Sequence, residues 1–497
     1  MASPLILAID QGTGSSKCLL VDERGEVVAR GGAPLGQSTP QPGWVEQDPE
    51  EIWASVRTAV AACVTAELAA RVVAVGFSTQ RESCVIWDRK TGKALTPLLS
   101  WQDQRTEDLC AGIRARGQGA IIREKSGLPL DPMFTAVKAK WLLDRIDPDR
   151  QRARAGDIVI GTIDSFLLSR FGGEAFVEAG NASRMQLVNV GIAEYDEVLL
   201  DIFDIPRAAL PRIVPSIGPF PACRDFAPIP DGVPVRAIMA DSHSALFAHG
   251  AYKPGPIKAT QGTGSSVMGL FDSTSVRGGN ALHPGLCLTL AWWIDKPMLG
   301  FEGNIRSAGS TILWMADLLG IDPGELARLA ATCEDAGNVY VVPGFNGLGA
   351  PWWDGNAVGT ISGVTLGAGR SVIARATIDS LAHQIADVVD VVRQSGLVVD
   401  RLHVDGGPTR NDQLMQFEAD MTGVTVARTD TAELSAMGVA HLAGIAEGIF
   451  TFAGLSRMDR GGRSFTPVLD EKARMAKRLG WRRAVARSLG SVAPAEP

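Results

Sequence analysis

The sequence predicts an α/β protein of two domains, and three observations carry that prediction. The hexapeptide QGTGSS occurs twice, at 11–16 and at 261–266, about half the chain apart, and self-similarity at such an interval marks related units. Short apolar runs alternate with stretches of helical periodicity in both halves. At 497 residues the chain also exceeds what one hydrophobic core ordinarily serves.

Each copy of the hexapeptide lies between two apolar runs, Leu5 to Ile9 and Cys18 to Val21 for the first, Pro256 to Thr260 and Val267 to Phe271 for the second. A turn at Glu23-Arg24-Gly25 before Val27 to Ala29 makes the first copy the bend of a hairpin. Asp48 followed by Pro49 reads as a helix start, with Ile52, Val56, Val60 and Cys63 on one face. Ser371 to Gln394 repeats the pattern with Ile378, Leu381, Ile385 and Val389 and ends near Gly396. Val72 to Gly76, Val339 to Val342 and Leu402 to Val404 read as buried strands. A boundary is expected near 250, in the turn-rich segment His249 to Pro256, giving domains 1–250 and 251–497. The Pro-rich stretch 215–234 reads as an irregular surface connection.

Composition excludes several classes. Hydrophobic residues make up 45% and charged residues 21%, the profile of a globular enzyme. A net charge of −7 argues against a nucleic-acid surface. The apolar run Ala436 to Ile449 is interrupted by His441 and Glu447, so no membrane span is expected. The N-terminus runs straight into Asp10 and reads as a first strand rather than a signal peptide. Seven scattered cysteines without a CxxC pair fit reduced thiols in a cytoplasm and give no zinc framework.

A loop of Gly-Thr-Gly-Ser-Ser has little side-chain bulk, so its backbone N–H groups can close around phosphate oxygens. Lys17 can add a positive charge beside the first copy, and Asp10, at the end of a strand, can hold Mg²⁺. A single copy would more simply be an ordinary turn; two identical copies favour phosphate binding. Neither is a Walker A loop or a dinucleotide fingerprint. At 404–412, VDGGPTRND turns from strand to helix, with Gly-Gly allowing a flat ring to approach and Asn411 free to bond it, a natural adenosine site.

Taken with these loops, PGWVEQDPEEIW (42–53), STQRES (78–83), LSWQDQRT (99–106), DPMFTAVKAKWLLD (131–144), GNASR (180–184), ADSHSALF (240–247) and GFNGLGAPWWD (344–354) resemble the FGGY carbohydrate kinases, most closely their glycerol kinase branch. The resemblance implies an actin-like fold of two RNase-H-like ATPase domains with the active site in the interdomain cleft. It implies ATP-dependent phosphorylation of a small polyol or sugar, with Asp241 as general base, since an alcohol attacks phosphorus well only as its proton is taken. Asp241 also suits the N-cap of a helix, and the two roles are compatible. The resemblance makes Arg81, Glu82 and Trp101 substrate contacts, the first two through a mixed donor and acceptor pair. For ATP it implies Gly12, Thr13, Gly14, Ser15, Lys17, Gly262, Thr263, Gly309, Leu313, Gly407 and Asn411, and for the metal Asp10 and Asp241. His243 and His249 are left with structural roles. A homo-oligomer, dimer or tetramer, is the expected assembly.

The sequence departs from the glycerol kinase pattern at the substrate end, with Met133 for Tyr, Ser242 for Gln and Ser266 for Phe. A roomier pocket for a four- or five-carbon polyol or ketose, and variation without a change of substrate, stand as equal readings. Gly14 for Thr, Leu313 for Gln and Lys17 for Arg touch the nucleotide side. The basic Gly-rich loop that binds a sugar bisphosphate in some members has no counterpart in 221–232. The rival from another class is an actin- or chaperone-type ATPase, which would not need Arg81, Glu82 and Asp241; a phosphohydrolase on the same fold is a second.

Overall fold

The computed structural model describes residues 3–271 and 282–490. In chain order the elements that matter for the site begin with β1 (Leu5–Gln11), β2 (Ser15–Asp22), β3 (Val27–Pro34), α1 (Pro49–Cys63) and β4 (Val72–Thr79). They continue with α2 (Thr135–Ile146), α3 (Ala179–Ser183), β5 (Val235–Ala240), α4 (Asp241–Ala248), β6 (Pro256–Gln261), β7 (Ser265–Leu270) and α5 (Gly309–Leu319). The last are α6 (Arg370–Gln394), β8 (Arg401–Asp405), α7 (Asp412–Thr422), β9 (Thr425–Arg428), α8 (Leu434–Ala446) and β10 (Arg463–Phe465).

Two compact units share these elements. The first gathers the described residues of Met1–Tyr252, Leu288–Gly300 and Glu433–Met458, the second those of Lys253–Cys287, Phe301–Ala432 and Asp459–Pro497. The expected cut near 250 falls at the first crossing, but two later segments rejoin the first unit. Composition explains the second return: α8, which covers most of the apolar run at 436–449, is buried along almost its whole length and needs a sheet to cover.

In the first unit the five strands run β5-β4-β1-β2-β3. β1 pairs antiparallel with β2 and parallel with β4, and β4 pairs parallel with β5. β1 is buried on both faces, which is why Leu5 to Ile9 is an uninterrupted apolar run. Helix α1 starts as the sequence predicts, the Asp48 carboxylate accepting the Glu50 amide at 2.8 Å ahead of Pro49. Its Ile52, Val56, Val60 and Cys63 join Leu5, Leu7, Ile9 and Phe77 in one core. A second core in this unit is built around Ile86, Leu99, Val137, Leu142 and Ile160.

The second unit repeats the plan. Within its seven-stranded sheet, five successive neighbours run β7-β6-β8-β9-β10, with β6 antiparallel to β7 and parallel to β8. Each QGTGSS therefore bends a hairpin whose first strand has a parallel neighbour. Helix α6 begins at Arg370 and carries the expected Ile378, Leu381, Ile385 and Val389 into the interior.

The segment 215–234 is irregular, as expected, but not merely a surface connection: Cys223, Phe226 and Ile229 are buried in the first core, and Phe226 stacks on Trp53 at 5.3 Å. Aromatic burial anchors a stretch that prolines keep out of regular structure.

Helices α4 and α8 pack together at Gly438, where a Cβ would lie 1.8 Å from the Ser244 carbonyl oxygen. Ser244 Oγ donates to the Ser435 carbonyl at 2.5 Å, and Ser435 Oγ to the Asp241 carbonyl at 3.1 Å. Gly438→Ala should therefore push the helices apart and lower stability by about 1–3 kcal/mol, the usual cost of overpacking. Gly119→Ala, with nothing within 4 Å of the new methyl, should change it by less than about 1 kcal/mol. Thermal unfolding of the two variants checks both.

Candidate active site

Three strand ends converge in the first unit. Asp10 is opposite Ser78, and Gln11 opposite Thr79, across the β1–β4 pair, while Ala240 is opposite Thr79 across β4–β5. The residues that follow these carboxyl ends are the phosphate loop, Gln80-Arg81-Glu82, and Asp241. Such strand ends are where open α/β sheets place ligands.

The first loop is held by buried amides. Gln11 Nε2 donates to the Gly12 carbonyl at 2.7 Å, and Gln47 Nε2 to the Thr13 carbonyl at 2.8 Å. Gln80 Nε2 donates to Gln11 Oε1 at 3.2 Å and to Gln47 Oε1 at 3.0 Å. Because these side chains satisfy loop carbonyls, the loop is braced from behind without using its N–H groups on the ligand side. The Gly12 amide itself closes the turn onto the Ser15 carbonyl at 3.0 Å. Gly14 is exposed, Ser15 half-buried, and Lys17 exposed and cross-strand from Asp10. Burial, then the negative charge of Asp241, raises Asp10 to about 6, while a hydrogen bond from Ser78 Oγ at 3.0 Å and the charge of Lys17 pull it down.

Arg81 and Glu82 are buried rather than solvated. Arg81 Nε lies 3.1 Å from Asp241 Oδ1, and its Nη2 donates to Ser242 Oγ at 3.2 Å. Asp241 is the first residue of α4, not its cap: the cap position is Ala240, and Asp241 Oδ1 accepts the Ser242 amide at 2.5 Å. Its side chain is 35% exposed, the open member of the group. Glu82 has a φ of +58°, unusual for a residue with a Cβ, and its Oε1 accepts from Arg184 Nε at 2.6 Å. Trp101 donates its indole N–H to Thr13 Oγ1 at 3.0 Å, tying the expected substrate wall to the phosphate loop. Met133 is half-buried. His243 and His249 are both buried.

The second unit brings the expected nucleotide residues together. The Gly309 amide donates to the Gly262 carbonyl at 2.8 Å, and the Ala308 and Ser310 amides to the Thr263 carbonyl at 2.9 and 3.1 Å, so α5 starts directly on the second loop. A Cβ on Gly309 would meet the Gly262 oxygen at 2.5 Å. On the other side Gly406, at φ +103°, packs against Gln261 so closely that a Cβ would lie 2.0 Å from its carbonyl oxygen. Gly407 faces open space, as approach of a flat ring requires. Leu313 is exposed on α5. One expectation changes. Asn411 is not free: its Oδ1 caps α7, accepting the Gln413 and Leu414 amides at 3.0 and 3.1 Å, which leaves only its N–H groups for a ligand. Ser266 Oγ is committed to Glu302 Oε1 at 2.6 Å.

Residues 5–248 match the FGGY family of carbohydrate kinases, N-terminal domain, and residues 257–447 its C-terminal domain. The chain belongs to the FGGY family of carbohydrate kinases. This FGGY kinase is 40% identical over 489 residues to a glycerol kinase of Shewanella frigidimarina, covering 97% of each chain. Its fold superposes on the crystal structure of Plasmodium falciparum glycerol kinase with ADP at a TM-score of 0.88, with 30% identity and 99% of each chain covered. A gluconate kinase from Lactobacillus acidophilus, at 20% identity and a TM-score of 0.87 over 98% of each chain, shares the fold alone. The protein is thus an ATP-dependent kinase of a sugar or polyol, with the two-domain fold of its family.

The sequence did not single out Ser78, Gln47, Gln80 or Arg184, although each lies in a motif of the FGGY kinase. Their place inside those motifs was the available signal. Because α5 starts on the second loop, Gly309→Ala in this kinase should raise the KM for ATP about tenfold or more, the equivalent of roughly 1.4 kcal/mol. Steady-state kinetics should find the KM for the phosphate acceptor within about twofold of wild type, because the added methyl meets only Gly262 and Pro408.

Proposed function

We propose that this kinase phosphorylates glycerol, transferring the γ-phosphoryl group of ATP to a terminal hydroxyl to give glycerol 3-phosphate and ADP. The observation that carries the reading is the pair of buried Arg81 and partly open Asp241 beside Glu82. It offers a fixed donor, a fixed acceptor and a partly open carboxylate within one unit, the set a vicinal diol requires. Relatives named glycerol kinase, at 40% identity across nearly the whole chain, support it. An actin- or chaperone-type ATPase would have no use for that set.

In this reading Arg81 orients the Asp241 carboxylate, and the hydroxyl of the substrate donates its proton to Asp241 as its oxygen bonds to phosphorus. The bond from the γ-phosphorus to the bridging oxygen breaks, and ADP leaves with the electron pair. Glu82 accepts from a neighbouring hydroxyl, and Trp101 walls the carbon chain. Main-chain N–H groups of the first loop receive phosphate oxygens. Among the described residues no group of three acidic, His or Cys side chains could hold an ion. Asp10 and Asp241 nevertheless fit Mg²⁺: their mutual repulsion is what a cation relieves, and Mg²⁺ takes one or two carboxylates with water and phosphate oxygens. Bound there, it would neutralise charge on the transferring phosphates.

A second reading, a four- or five-carbon polyol or ketose, is favoured by the departures at Met133, Ser242 and Ser266. An assay of glycerol, tetritols, pentitols and small ketoses separates the two: the highest kcat/KM should fall on glycerol, and a pentitol preference would establish the second. Asp241→Asn should lower kcat by about 10²–10⁴-fold while changing the acceptor KM only a few-fold. Near-normal turnover in that variant would remove Asp241 from the base role.

A further inference from the structure

Lys138, on α2, is buried without any exposed surface. Its ammonium donates to the main-chain carbonyl of Glu82 at 3.2 Å and, over a very short contact, to that of Met133. These carbonyls belong to two residues expected to line the acceptor pocket, on segments about fifty residues apart in sequence. Glu82 is held at its other end by Arg184, itself fully buried with its guanidinium 5.2 Å from the Phe134 ring centre. The peptide carrying the positive φ is thus fixed from both sides, which is what a backbone in a disfavoured region requires to persist.

We propose that Lys138 is a positioning residue for the phosphate acceptor, its ammonium fixing the Glu82 and Met133 peptides so that both pocket walls keep their separation. The inference rests on the reading of Glu82 as an acceptor contact. Burial lowers Lys138 to about 8, against the opposing charges of Asp103, Glu82 and Asp131; the Cys84 and Cys110 thiols beside it are kept neutral by burial. The charged form therefore dominates below that pH and is lost above it. A neutral amine keeps two N–H groups, but its bonds to the carbonyls are about half as strong. The two peptides loosen, and the acceptor binds less well.

The test is the KM for glycerol and for ATP between pH 6.5 and 9.5 in wild type, K138R and K138M. In wild type the glycerol KM should rise severalfold through pH 8 while the ATP KM does not follow. K138R, which cannot titrate in this range, should lose that rise. K138M should show a glycerol KM raised about tenfold at every pH. A rise that persists in K138R, or a K138M glycerol KM within twofold of wild type, overturns the proposal. If circular dichroism shows K138M unfolded, the K138R profile alone decides. Glu82→Gln separates the two levels: a glycerol KM unchanged by it removes Glu82 from the pocket and the inference with it, whereas a raised KM with no effect of Lys138 overturns only the inference.

Discussion

The contact between α4 and α8 at Gly438 is the constraint on which the first unit depends. Asp241 sits at the first turn of α4, and nothing at its own end of that helix caps it. Position is imposed instead by α8, which the chain delivers after building most of the second unit. Ser244 donates its hydroxyl to the Ser435 carbonyl, and Ser435 its hydroxyl to the Asp241 carbonyl, across a backbone approach that tolerates no side chain. The same helix packs its Val439 against Gly76 of β4, the strand that leads to Arg81. One helix thereby fixes both members of the Arg81–Asp241 pair. Unpaired polar groups at such depth would be costly, so the small residues and their bonds come as a set.

Identical hexapeptides make two different loops, because the hairpins close in different registers. Gln11 is opposite Ser16, whereas Gln261 is opposite Ser265. A slip of one residue sends alternate side chains to the other face: Ser16 Oγ meets Ser55 of α1, while Ser266 Oγ meets Glu302. Polar bracing differs as well. Gln11 is met by Gln80, but Gln261 donates to Glu418, which burial raises to about 8. The carboxylate changes strand too. In the first unit Asp10 lies on the hairpin and Ser78 on its parallel neighbour, and in the second Thr260 lies on the hairpin and Asp405 on the neighbour. Each pair is joined by a 3.0 Å hydroxyl-to-carboxylate bond. Lys258, fully buried, donates from Nζ to Thr260 Oγ1 at 3.0 Å, tying the second arrangement to the inside of the fold. The first unit keeps Lys17 at the surface.

Much of this was legible in the sequence, because it lies in local patterns. The Asp48-Pro49 helix start, the apolar spacing of α1 and α6, and the strands around both hexapeptides are read from neighbours within a few residues. Residues brought together by distant parts of the chain were not. Arg184 and Lys138 reach Glu82 from separate helices or their ends, and Gln47 reaches Thr13 across the α1 entry; no spacing rule connects them. Neither could the sequence tell that an asparagine placed to bond a ligand would turn its oxygen to a helix end, since Asn411 serves either purpose equally well by composition. The chain's second return to the first unit was hidden for a related reason. An apolar run such as 436–449 declares that it must be covered, but not by which sheet.

The same distinction bears on the three positions where the sequence departs from the glycerol kinase pattern. Ser242 and Ser266 look in the sequence like lost contacts, yet each hydroxyl has a protein partner, Arg81 for one and Glu302 for the other. Ser242 in particular contributes to the site by steadying the guanidinium that pairs with Asp241. A serine there needs no substrate atom to satisfy it, and its presence is compatible with a small acceptor. Met133 is different. Its amide donates to Asp131 Oδ1 at 3.0 Å and its carbonyl accepts from Lys138, so the backbone is fixed while the half-buried side chain makes no such bond. Methionine is the most adaptable of the apolar side chains and fills space without defining it. Of the three departures, Met133 is therefore the one that changes how space is filled rather than how a polar atom is partnered.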